Sequence, residues 1–309
     1  MRKLSYRAFG GLDVLELADV AVPKPAPGQV LVRVRAAAIN PIDWKMREGH
    51  VKFLTGWRMP QGQGVEFAGV VEQVGRGVTS LAVGDQVFGA AKSSIAEYCV
   101  AKTTKVARIP SGVSFEVAAT IACVGTTAAR AFRRVVLGAG SDVLINGATG
   151  GIGTYATQMA VGRGASVTAV VSDKGLAVAE QWGVERVVNY RTTNILDEGR
   201  TYDLVIELSD KLPHKLAKAL LNPGGRYVAT LPNPAEFVPG LLGNMISSRK
   251  YALAGMRAKT EELQNVAHDV AVGKINVMIG DTFALSDYRP AYEHAQAGKH
   301  LGKVVFVLD

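Results

Sequence analysis

The sequence predicts an α/β protein of two domains, one β-rich and one built on a doubly wound parallel sheet, and three observations carry that expectation. At 309 residues the chain exceeds what one hydrophobic core comfortably spans. Up to about residue 118 short alternating strands are punctuated by glycine and proline, and from about 119 strands alternate with helices. The third is a glycine-rich turn after a buried strand and before a helix, Val143-Leu-Ile-Asn-Gly147-Ala-Thr-Gly150-Gly151-Ile-Gly153.

Taken in order, residues 1–9 alternate as a first strand and lack the apolar stretch and small-residue cleavage site of a secretory leader, which places the protein in the cytoplasm by expectation. Strands follow at Val30–Arg35, Phe67–Val74, Gln86–Phe88 and Ala96–Val100, with turns at Pro25–Gly28 and Gly84–Asp85. A helix then runs to about Val136, a strand covers Val143–Asn146, a helix Ile152–Gly162, a strand Ser166–Val171 and a helix to Trp182. Strands at Arg186–Val188, Leu204–Glu207 and Tyr227–Thr230 continue the alternation, which implies right-handed crossovers and parallel pairing. The last fifty residues hold helices near Glu261–Ala271 and Tyr288–Ala297 and an apolar strand Val304–Leu308 that fits either domain.

Composition removes several classes of function. No run of 18 apolar residues occurs, so no membrane span is expected. The net charge of +8 permits nucleic acid, but the basic residues are scattered, the densest group is Arg130, Arg133 and Arg134, and no recognition motif accompanies it. Nucleic acid is therefore not an expected partner, and the charge equally suits an anionic cofactor. Cys99 and Cys123 are too few for a disulfide framework or a four-thiolate zinc site. His50, His214, His268, His294 and His300 show no ligand spacing.

The turn has a mechanical reason if it holds a dinucleotide. A pyrophosphate needs backbone N–H groups at a helix N-terminus and no Cβ where the chain presses against it. Gly147, Ala148, Thr149, Gly150, Gly151, Ile152 and Gly153 are the candidate cradle, spaced Gly-x-x-Gly-x-x-Gly, and a purely steric turn would use glycine in the same places. The following strand ends at Val170-Val-Ser172-Asp173-Lys174. Ser172 and Lys174 suit a 2′-phosphate and favour NADPH, Asp173 keeps NADH open through the ribose hydroxyl, and all three also suit a helix cap.

Further motifs resemble a known family along nearly the whole chain. They are Ala36-Ala-Ala-Ile-Asn40-Pro41-Ile-Asp43, Gly64-Val-Glu-Phe-Ala-Gly69 running on to Gly75, Val83-Gly84-Asp85, the glycine turn, Trp182-Gly183, Asn189-Tyr190, Asn222-Pro-Gly-Gly225 and His300-Leu-Gly302-Lys303-Val304. Together they resemble the medium-chain dehydrogenase/reductases, in the zinc-independent quinone oxidoreductase and enone reductase branch. The resemblance implies a GroES-like β-rich domain over 1–118 and 258–309, a Rossmann domain over 119–257, and a homodimer. Zinc-using relatives place a Cys at Asn40 and a His at Val65, with another Cys near Cys123. Asn and Val cannot supply those ligands, so no zinc is expected. The resemblance also places Asn40 and Asp43 at the nicotinamide end, Thr127 beside it, Tyr190 near a 2′-phosphate, and Gly302 and Lys303 against the cofactor. Asn40-Pro41 and Asp43 are also ordinary turn formers.

The chemistry so implied is hydride transfer from NADPH to a quinone or to the β-carbon of an α,β-unsaturated carbonyl, with the cofactor performing the hard step. The protein must add a hydrogen-bond donor where negative charge develops on oxygen. Lys45 is the candidate, oriented by Asp43, against the plainer reading of a solvated lysine on a loop. The stretch Trp44 to Trp57, with Phe53 between, is a candidate pocket wall. Tyr98-Cys-Val-Ala-Lys102 spells the short-chain dehydrogenase pair but precedes the glycine turn, where that class has it after. No Gly-x-Ser-x-Gly elbow occurs, which disfavours acyl-transfer hydrolysis. The competing class is a non-catalytic NADPH-sensing or RNA-binding protein on the same scaffold.

Overall fold

A computed structural model of the chain describes residues 1–52, 56–133, 135–230, 234–298 and 300–309. Phe53 of the expected pocket wall and Arg134 of the basic group lie outside the described residues. The chain forms two compact units, Met1–Cys123 with Arg257–Ala271 and Met278–Asp309, and Val124–Met256 with Val272–Val277. Relative to the expected boundaries, 119–123 and Arg257 stay with the first unit and 272–277 pass to the second. Among the described residues no helix is long and apolar enough to cross a membrane.

The first unit contains β1 (Arg2–Tyr6), β2 (Leu15–Asp19), β3 (Gln29–Ala38), α1 (Pro41–Arg47), β4 (Gln61–Gly62), β5 (Glu66–Val74), β6 (Gln86–Ala90), β7 (Tyr98–Lys102), β8 (Val106–Arg108) and α2 (Phe115–Ala118). Its larger sheet is organised around β3. Val32, Val34 and Ala36 are fully buried while Arg33 and Arg35 between them are half-buried, the period-two pattern of a half-buried strand. β3 pairs antiparallel with β5 along its length and with β7 over Gln29–Arg33. The expected strand Ala96–Val100 is displaced because the chain changes sheet there. Ala96 bridges to Lys3 and the Leu4 amide donates to Ile95 O, whereas β7 begins only at Tyr98 on β3.

The second unit contains α3 (Thr126–Ala131), β9 (Asp142–Asn146), α4 (Gly151–Val161), β10 (Ser166–Val171), α5 (Leu176–Gln181), β11 (Arg186–Asn189), β12 (Tyr202–Glu207), α6 (His214–Ala217), β13 (Leu221–Ala229), α7 (Pro234–Gly243) and β14 (Lys250–Leu253). The sheet order is β11-β10-β9-β12-β13-β14 and every pairing is parallel. Numbered from β9 this is 3-2-1-4-5-6, the dinucleotide-binding order, with the reversal between β9 and β12. Val143, Leu144, Ile145, Leu204, Val205 and Ile206 are all fully buried, as strands covered on both faces require.

The helix expected to reach Val136 stops at Ala131, after a π-helical turn over Ile121–Gly125. Val136 is 97% exposed and offers no face to pack, and a helix without such a face gains too little to extend. The strand expected at Tyr227 begins at Leu221, with Pro223 and Gly224 (φ +85°) absorbed where its pairing with β12 shifts register. A side chain on α4 ties residues 272–277 to the second unit. Gln158 Nε2 donates to Asn276 O at 3.0 Å and its Oε1 accepts from Asn276 N at 2.8 Å.

The chain then returns to the first unit with α8 (Thr260–Ala271), β15 (Ile279–Ala284), α9 (Tyr288–Ala297) and β16 (Lys303–Val307). β16 pairs antiparallel with β3 over Ala36–Ala38 and parallel with β15, which settles the C-terminal strand into the first unit. Phe306 on β16 is fully buried beside Tyr292. Phe306→Ala is expected to lower stability by about 3–5 kcal/mol, the range for truncating a core phenylalanine. Urea denaturation checks this, and a loss below about 1 kcal/mol would contradict the placement.

Candidate active site

The glycine turn of the second unit lies where the strand order reverses, between β9 and α4. Its own hydrogen bonds use only part of its amides. Gly147 N and Ala148 N both donate to Val170 O, at 3.0 and 3.1 Å, and Gly150 N donates to Gly147 O at 3.1 Å. Gly150 is the N-cap of α4 and has no side chain to accept from the helix, so the amides of Gly151, Ile152 and Gly153 are the orphan donors of a helix start. Gly147 has φ +89°, and a Cβ on Gly153 would run into the carbonyls of Gly147 and Ala148. Both are backbone constraints that glycine alone relieves. A Cβ on Gly175 would meet Thr149 Oγ1 at 2.5 Å, so the turn and the start of α5 also pack closely.

The neighbouring strand ends carry positive charge. Ser172 and the exposed Lys174 follow β10, and Tyr190, 57% exposed, follows β11 with its amide on Val171 O at 3.1 Å. Asp173 is occupied. Its Oδ1 accepts from Asn189 Nδ2 at 2.5 Å and its Oδ2 from Arg191 Nη1 at 2.9 Å. The neighbouring Tyr190 side chain and then the Asp173 carboxylate hold the Arg191 guanidinium above its usual range. Arg191 is not among the residues the sequence singles out, although it stands one residue past the Asn189-Tyr190 motif. Thr127, expected near the nicotinamide, is buried on α3.

In the first unit a different cluster gathers around α1. Asn40 is its N-cap and Asp43 its third residue, joined as a capping box in which Asn40 N donates to Asp43 Oδ2 at 2.8 Å. Asn40 Nδ2 donates to Glu66 Oε1 at 2.8 Å, and Cys123 N donates to Glu66 Oε2 at 2.6 Å. Lys303 Nζ donates to Asn40 Oδ1 at 2.7 Å and Ile39 O at 2.6 Å and stands 3.9 Å from Glu66 Oε1. Asn40, Asp43 and Lys303 are 1%, 0% and 5% exposed. The ammonium of Lys303, expected against the cofactor, is thus enclosed in its own unit as countercharge to Glu66. Gly302 (φ +70°) is required for backbone reasons, since a Cβ there would strike Met278 O. Lys45 sits on α1, not on a loop, and is half-buried. Two residues after Asp43 on a helix it points to nearly the opposite side, so Asp43 holds the cap and does not orient it.

These residues do not fit a catalytic zinc. Asn40 and Val65 offer neither thiolate nor imidazole, and both oxygens of Glu66 are engaged by Asn40 and Cys123. Among the described residues no group of three or more His, Cys, Asp or Glu stands where it could hold a metal ion.

Burial pushes the Asp43 carboxyl up to about 7, against the pull of the Asn40 amide and Lys303. The folded chain therefore holds a proton that the unfolded chain releases near 4, and this stabilisation is lost as pH rises from about 4 to about 7. Asp43→Asn keeps an acceptor for Asn40 N and never ionises. Its stability relative to the parent is expected to be more favourable at pH 8 than at pH 5, measured as urea midpoints, and an equal difference at both would contradict the shift.

Residues 26–173 match the family model described as alcohol dehydrogenase GroES-like domain, and residues 182–306 that described as zinc-binding dehydrogenase. Human quinone oxidoreductase is 30% identical, covering 100% of this chain and 98% of its own. A trans-enoyl reductase of Aspergillus terreus is 29% identical over 92% of this chain and 87% of its own. The solved quinone oxidoreductase of Coxiella burnetii superposes with a TM-score of 0.91 at 28% identity, covering 100% of this chain and 99% of that one. Two family models across both units and a full-length relative at this identity mean that the chain belongs to the medium-chain dehydrogenase/reductases, in the quinone oxidoreductase branch.

Proposed function

We propose that this oxidoreductase uses NADPH to deliver hydride to a quinone or to the β-carbon of an α,β-unsaturated carbonyl, without a bound metal. One observation carries the reading. The uncapped start of α4 lies at the strand-order reversal, beside a strand end where Lys174 and Arg191 are cationic and Asp173 is already taken. The amides of Gly151, Ile152 and Gly153 would bind the pyrophosphate. Ser172, Lys174, Tyr190 and Arg191 would receive the 2′-phosphate, a dianion that a guanidinium meets with charge-assisted hydrogen bonds. An unoccupied carboxylate would favour the 2′-hydroxyl of NADH, and the ties of Asp173 to Asn189 and Arg191 work against that.

When bound, the reduced nicotinamide supplies the hydride. The chain's task is then to stabilise charge on the carbonyl oxygen. Lys45 is proposed as the donor, since of Asn40, Asp43 and Lys45 it alone is exposed enough to meet a substrate. Asn40 and Asp43 act indirectly, by fixing the start of α1. No step is assigned to a metal, because the donor set does not fit one.

Two measurements test this. With a quinone and an enone panel, kcat/KM for NADPH should exceed that for NADH, and Arg191→Ala should lower the NADPH value roughly tenfold or more while leaving NADH within about twofold. An equal or NADH-favouring ratio in the parent sinks the cofactor assignment. Lys45→Ala should lower kcat/KM on the enone about a hundredfold, and full activity would remove it as donor. Nucleotide binding without turnover on any quinone or enone would point instead to a sensor.

A further inference from the structure

One buried carboxylate of the second unit has no part in the chemistry above. Glu207, the last residue of β12, is enclosed. Its Oε1 accepts from Ser209 N and Ser209 Oγ at 2.7 Å each and from Lys211 N at 3.2 Å. Its Oε2 accepts from Asn146 Nδ2 at 2.7 Å, and the same Nδ2 reaches Ser209 Oγ at 3.0 Å. Burying a carboxylate is costly, and this many donors are what offsets the cost.

The donors come from both sides of the reversal. Asn146 ends β9 and immediately precedes Gly147, whereas Ser209 and Lys211 lie in the turn that leaves β12. The two segments touch. Leu208 N donates to Asn146 O at 3.0 Å, and a Cβ on Gly147 would stand 3.4 Å from Leu208 Cβ and 3.6 Å from Ser209 N. Asp210 within that turn has φ +58°, a conformation non-glycine residues seldom adopt without support. Capping of this turn accounts for the bonds to Oε1. It does not account for Oε2, which reaches across to the polar residue that follows the apolar run Val143–Ile145 of β9.

We propose that Glu207 is a positioning residue for the dinucleotide, fixing the glycine turn against the turn leaving β12 through Asn146. The proposal rests on the glycine turn being the nucleotide site. It has a second consequence for the same ligand. The amides of Ser209 and Lys211 form a small anion-binding concavity that Glu207 already fills, so the pyrophosphate is left the start of α4.

The test is the dissociation constant for NADPH, read from fluorescence titration of the parent and three variants. Asn146→Asp sets two carboxylates against each other and should raise Kd tenfold or more. Asn146→Ser removes the amide without adding charge and should raise it at least threefold. In the double variant Asn146→Asp with Glu207→Gln, donor and acceptor are exchanged across the pair. The new amide at position 207 donates to the new carboxylate at position 146 and still accepts from Ser209 and Lys211, and Kd should return to within about threefold of the parent. If Asn146→Asp does not fold, Asn146→Ser and the double variant decide. Single variants within twofold of the parent, or a double variant binding no more tightly than Asn146→Asp (or, where that does not fold, than Asn146→Ser), overturn the role of Glu207 alone. A parent chain that binds no NADPH overturns the nucleotide reading and this inference together.

Discussion

The parallel pairing of β9 with β10 on one side and β12 on the other is the constraint on which the proposed nucleotide site depends. Right-handed crossovers from a central strand send helices to opposite faces, which opens a crevice at the carboxyl ends where the order reverses. The chain must then turn sharply from β9 into α4. Gly147 permits the turn, Gly150 leaves the helix without a side-chain cap, and Gly153 allows the helix to lie against the turn's carbonyls. A geometry demanded by packing thereby leaves orphan amides at the strand-order reversal, where an anion can approach them. Glu207 closes the competing amides nearby and joins the two margins of the reversal.

The first unit solves a different problem, the burial of charge. Glu66, Asp43, Arg47 and Lys303 are all enclosed. Lys303 and two N–H donors compensate Glu66, whereas Asp43 has one oxygen on the Asn40 amide and the other with no hydrogen-bond partner among the described residues, and burial raises its carboxyl to about 7. Arg47 lies 5.5 Å over the ring of Tyr292 and donates to Gly10 O. The effect of this cluster is to fix the start of α1, and hence the direction of Lys45, from beneath. Asn40 illustrates how a ligand position becomes a structural one. A thiolate there would repel Glu66, while an amide can donate to Glu66 and accept from Lys303 at once.

Much of the fold was legible because glycine and periodicity mark it locally. The strand Ser166–Val171 and the helix Tyr288–Ala297 begin and end where the pattern changes. The turn at 147–153 is a short-range feature for the same reason. The extent of the helix after 119 was not legible, since its end is set by what Val136 fails to pack against. Neither was the shift of β7, which depends on Ile95 and Ala96 belonging to another sheet. In the candidate site the residues of the glycine turn could be named because they are consecutive. Lys303 could not be assigned to Asn40 and Glu66, because the contact joins residues 263 apart in sequence and no local pattern records it. Arg191 was obscured differently, since an exposed arginine after a strand is unremarkable until its tie to Asp173 is seen.

Amide hydrogen exchange with and without NADPH tests most directly whether the start of α4 is the anion site. Protection on binding is expected at Gly151, Ile152 and Gly153 and, less strongly, at Ser172–Lys174 and Tyr190–Arg191. The amides of Ser209 and Lys211, already bonded to Glu207, should change little. Unchanged exchange at 151–153 while NADPH is bound would contradict it.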